Sequence, residues 1–180
     1  MLANGKLVAA IIVLCALLFA LARTGVLRYW GQESKPLGEA PTIEFPIAGI
    51  SQVERQQFLD GDFTILREVK TLSRPVLEAF TEQGGSRLLM ANPGKAFEVT
   101  DVIGDSGLPR ERLIFAGVLH DKCFVHYERG GYVHMYILAF YDIPSTSGMK
   151  PLWRGYCTGS AANLQELRSA LTSGACVASR

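Results

Sequence analysis

The residues best suited to chemistry are His120, His126 and His134, with Cys123 between the first two. A transition metal needs three or four such side chains converging at about 2.0–2.3 Å, and their spacing matches no zinc pattern. Cys123, His126 and His134 fall where strands are expected and His120 in the break between two of them, so facing decides what they can share, because side chains alternate sides along a strand. If the loop between Tyr127 and Tyr132 leaves an even number of residues unpaired, His126 and His134 face opposite ways. Only an odd loop puts them on one side. Two-residue loops are the commonest, so the expectation is no shared site, no metal and no cofactor.

Cys123 as a nucleophile needs a base. His126 is three residues on, hence on the other face of a regular strand. His120 is also at odd spacing, and only a bend at Asp121 brings it round. Activated thiolates sit at helix N-termini or beside cations, whereas Cys123 reads as mid-strand, a small buried hydrophobe. A nucleophile-elbow GxSxG, a GxGxxG loop, a P-loop and an HExxH helix are all missing from the sequence. No catalytic residue is assigned. Cys157 and Cys176 bracket a segment with helical spacing. In an oxidising compartment they are expected to pair and staple that helix to the sheet edge; in the cytosol they stay reduced.

The elements that hold these residues follow from periodicity. Ser51 and Glu54 have capping-box spacing ahead of a short helix with Val53, Phe58 and Leu59 on its apolar side, broken at Asp60-Gly61-Asp62. Residues 63–72 read equally as strand or helix. Ser73-Arg74-Pro75 opens a second helix with Val76, Leu77 and Phe80 inward, stopped at Gly84-Gly85. Strands are expected at 87–91 and 96–102 around the turn Asn92-Pro93-Gly94, and then at 112–119, 122–127, 132–141 and 152–157. Asn163, with Glu166 three residues later, caps a last helix carrying Leu164, Leu167 and Leu171, ended by Gly174. Tightly joined sequential strands form an antiparallel meander. The expected fold is α+β: a meander sheet with helices packed on one face. The aromatics Tyr127, Tyr132, Tyr136, Phe140 and Tyr141 either line an uncovered sheet face that binds a ligand or partner, or are core beneath a helix.

The run RLIFAGVLHDKCFVHYERGG (112–131), with the aromatic strand after it and Trp153-Arg154-Gly155-Tyr156, resembles bacterial proteins of unassigned function that carry an N-terminal apolar segment. The resemblance spans roughly residues 62–174. It implies architecture and brings no activity or catalytic residue.

Leu7–Ala22 supply sixteen apolar residues without a charge, behind Lys6. This is short for a membrane span, which takes about 20 residues. Two readings stand. In the first, residues 1–30 form a signal anchor extended by Thr24–Leu27, with Tyr29 and Trp30 at the interface. In the second, Ala20-Leu21-Ala22 is a signal-peptidase site and Arg23 starts the mature chain. Residues 31–50, rich in Pro and Gly, are a linker to one globular domain, 51–180. The charged flanks are balanced, and the short N-terminal tail favours a domain outside the cytoplasm, single-pass or periplasmic after cleavage. All seventeen acidic residues and seventeen of the eighteen basic ones follow Ala22, so that domain is formally neutral. A neutral domain without a basic cluster has little pull on phosphate chains, which argues against nucleic acid. The expected function is a non-catalytic binding or structural module of the cell envelope, using a sheet face or the Glu128–Gly131 hairpin for an envelope protein or small ligand. The alternative is a small Cys/His hydrolase or metal enzyme.

Overall fold

A computed structural model describes residues 49–81, 88–100, 107–144 and 149–179. The apolar segment Leu7–Ala22, its anchor and cleavage readings, the linker as far as residue 48 and the Gly84-Gly85 stop lie outside the described residues. Among those described, no helix is long and apolar enough to cross a membrane.

Local signals produce the helices. In α1 (Gln52–Asp60), the Ser51 hydroxyl accepts from the Glu54 N–H at 3.2 Å, and the Glu54 carboxylate accepts from the Ser51 N–H at 3.1 Å. Both satisfy donors a helix start leaves unpaired. A 3-10 turn covers Val69–Thr71. α2 (Arg74–Ala79) has Pro75 in its first turn, and buries Val76 and Ala79. α3 (Leu164–Ser173) begins where Asn163 accepts from the Glu166 N–H at 2.9 Å, and ends at Gly174 with φ 78°.

The described residues form a seven-stranded sheet, antiparallel except for one short pairing. Its meander is β3 (Glu111–Leu119), β4 (Lys122–Arg129), β5 (Met135–Asp142) and β6 (Lys150–Cys157). β1 (Thr64–Leu66) pairs antiparallel with one end of β3, and β2 (Met90–Ala91) pairs parallel with the other. β7 (Cys176–Ala178) closes the far edge against β6. A bulge at Ile114 turns Ile114 and Phe115 to the same side.

Helices do not sit on one face only, as the meander and helix pattern led us to expect. Cys123, Val125, Tyr127, Ile137, Ala139 and Tyr141 point to one side, beneath Val69, Leu72, Val76 and Phe80. Phe115, Phe124, Leu138, Phe140 and Trp153 point to the other, beneath Phe58 of α1 and Leu167 and Leu171 of α3. Phe58 meets Phe124 and Phe140 edge-on at 5.3 and 4.8 Å. The physical reason is chain length: α1 and α3 come from opposite ends of the domain and share one face, while α2 is held to the other by β1 and β2 on either side of it in sequence. The central strands are accordingly buried on both faces, and the uncovered aromatic sheet face is not found there. Among the described residues, the strands expected at 87–91 and 96–102 shrink to β2 and two isolated bridges, Thr81 to Leu88 and Thr100 to Gly131. The N–H of Glu98 instead bonds the carbonyl of Pro109 at 2.9 Å.

Candidate functional site

His126 is fully buried. Its Nδ1 lies 2.9 Å from the Ile137 carbonyl, and its Nε2 lies 3.2 Å from the Ala161 N–H. A carbonyl only accepts and an amide N–H only donates, so Nδ1 carries the proton and Nε2 the lone pair. Burial pushes the ring's pKa down, against the Ile137 hydrogen bond. His126 is thus a neutral stitch between the sheet and the loop before α3.

The other residues singled out in the sequence are dispersed. His120 is exposed in the two-residue turn between β3 and β4, at φ 52°. It borders an open cleft of about 590 Å³ with Gln56, Gln57 and Asp60 of α1. Cys123 is buried on the sheet face opposite His126. Burial raises its thiol to about 12, which leaves it protonated and unreactive near neutrality. Among the described residues no group of three His, Cys, Asp or Glu is placed to hold a metal. Cys157 and Cys176 are direct cross-strand partners with sulfurs at bonding distance, 2.03 Å. The bridge therefore ties β6 to β7, with α3 in the closed loop.

His134 belongs to a cluster the sequence reading missed. The β4–β5 loop holds five residues, Gly130–His134, because Arg129 pairs with Met135. That odd count returns His134 to the His126 side of the sheet, further along at the hairpin end. There His134 Nε2 lies 2.8 Å from Glu128 Oε2, and the Arg112 Nε donates to Glu128 Oε1 at 2.5 Å. Glu128 is buried, and a buried carboxylate needs such partners. The Arg112 guanidinium stacks over the Phe97 ring at 4.3 Å, and the His134 ring lies 5.0 Å from that of Tyr136. Strand alternation carries a usable signal for Arg112 and Glu128, but only once the register is known.

This cluster is the base of a braced loop. Gly130 donates to the Arg110 carbonyl at 2.9 Å and Gly131 to the Val99 carbonyl at 3.1 Å. A Cβ on Gly130 would lie 1.8 Å from the Glu98 carbonyl oxygen, so only glycine allows this approach. The tip projects beyond the brace: Tyr132 is 94% exposed, Val133 65% and Val99 42%.

Glu111 sits on the other sheet face, buried, with Oε2 lacking any hydrogen-bond partner. Burial raises its carboxyl to about 7, opposed by the charges of Arg129 and Arg154. Compared with protein-family models, curated proteins and solved structures, the chain matches none.

Proposed function

We propose that this protein is a non-catalytic binding module of the cell envelope, held at the membrane by its N-terminal segment, with the Gly130–His134 hairpin as its contact surface. The observation that carries the reading is the tip itself. Soluble surfaces scatter apolar side chains singly; here Tyr132 and Val133 are adjacent, highly exposed, and next to Val99 across the brace. A loop stiffened by the Arg112–Glu128–His134 cluster loses little entropy on binding, which favours recognition. The Cys157–Cys176 pairing fits an oxidising compartment, and the sixteen apolar residues before Arg23 fit an anchor or export signal. The hydrolase and metal alternatives lack such support, because Cys123 is inert and both ring nitrogens of His126 are engaged by backbone.

The test places a photocrosslinker at Tyr132 in the full-length chain in bacteria, with protease added outside the cytoplasm of spheroplasts. We expect the domain to be digested, its two cysteines to be bonded, and adducts to form in the envelope fraction. A protected domain with free thiols and no adduct at Tyr132 overturns the reading.

A further inference from the structure

The composition around the hairpin points to what it touches, an inference that rests on the contact surface just proposed. Three apolar or aromatic side chains project together, and the brace keeps them from folding back onto the domain. Around them the basic side chains of Lys95 and Arg110 are exposed, while Arg129 lies on the other sheet face with its Nε 3.9 Å from the Glu111 carboxylate. Among the described carboxylates nearby, Glu128 is buried under Arg112 and His134, Glu111 is buried on the far side of the sheet, and Glu98 is half-buried. A tyrosine between valines and a basic fringe is the chemistry of a bilayer interface, where an aromatic ring with a polar end sits at headgroup level and cations meet lipid phosphates. A protein pocket could take the same apolar tip, but the chain itself brings the bilayer near. Only the linker of residues 31–50 separates the apolar and interfacial stretch from the domain, a tether of at most about 70 Å.

From this juxtaposition we infer that the hairpin seats in the headgroup layer of a phospholipid bilayer. Tyr132 and Val133 enter the interface, and Lys95 and Arg110 face lipid phosphates. The domain is then docked at two points, by its N-terminal segment and by this tip, at the end of β4 remote from α1 and the His120 turn.

The test uses the full-length chain with Cys15→Ala, reconstituted in phosphatidylcholine vesicles with or without phosphatidylglycerol. An environment-sensitive dye is attached at Val133→Cys. A reference dye is attached at Val53→Cys, which is 68% exposed on α1 at the opposite end of the sheet. The expected result is quenching by lipid-borne quenchers at 133 and not at 53, stronger with phosphatidylglycerol. Tyr132→Ser should lower the docked-to-free ratio roughly tenfold. Lys95→Gln with Arg110→Gln should remove the preference for the anionic lipid. Equal quenching at 133 and 53, or none at either, overturns the inference. If quenching is absent while Tyr132 crosslinks to an envelope protein in cells, the hairpin docks a protein and the broader reading survives. If both are absent, both fall.

Discussion

A buried carboxyl with an unpartnered oxygen costs stability, and Glu111 shows how that cost depends on pH. Its carboxyl titrates near 7 in the folded chain against a reference of 4.5. Between those values the folded chain holds a proton that the unfolded chain has released, so raising the pH favours unfolding. The contribution is intact below about 4.5 and lost as pH rises through about 7, amounting to about 3 kcal/mol. Glu111→Gln should flatten this slope and be more stable than the parent above the folded value, measured by urea unfolding across the range. His126 acts with the opposite sign. Its lowered pKa makes the folded state bind fewer protons, so its contribution is present above the reference of 6.5 and lost as pH falls through the folded value. At this scale the sequence singled out His126 and Cys123, and both are buried. It had no means to see that Glu111 is buried, because a single acidic residue at a strand start reads as solvent-facing.

The hairpin depends on elements distant in sequence. Gly130 packs against the Glu98–Val99 backbone, and the parallel bridge from Thr100 to Gly131 ties the same segment. Gly130→Ala should force the two backbones apart and destabilise the domain by about 2 kcal/mol or more. Hydrogen exchange should then show lost protection at Gly131 first, with the β3–β6 ladder kept. An equal loss of protection along β4 would mean that the hairpin and the sheet open as one unit. The meander was legible because β-branched and aromatic runs alternate with short polar breaks, and the caps of α1 and α3 lay in Ser51, Glu54, Asn163 and Glu166. The segment around Phe97 was not legible as non-strand. Its residues favour extension, but its hydrogen bonds go to Pro109 and Gly131 rather than to one neighbouring strand.

For the molecule as a whole, the β6–β7 bridge closes a loop with a sequence separation of 19. By the chain-entropy account it contributes about 3 kcal/mol. Replacing Cys157 and Cys176 together by serine should lower the unfolding free energy by about that amount and lower the thermal midpoint, with the meander intact by circular dichroism. Unchanged stability would mean that the edge strand β7 holds without the bridge. Because β7 pairs with only three residues at the end of β6, the loss should appear first as release of the C-terminal strand.

The sequence by itself determined the α+β class, the order of the meander and the helix starts, since these rest on local periodicity and capping chemistry; the pair Cys157–Cys176 it left conditional on an oxidising compartment, and the structure brings the two together. Only the tertiary structure decided that helices cover both sheet faces, that the β4–β5 loop is odd, and that Arg112, Glu128 and His134 meet beneath an exposed Tyr132. Those outcomes depend on register and on which segments return to which face. A shift of one residue in register reverses every side chain on a strand, and no local signal near His134 counts the loop.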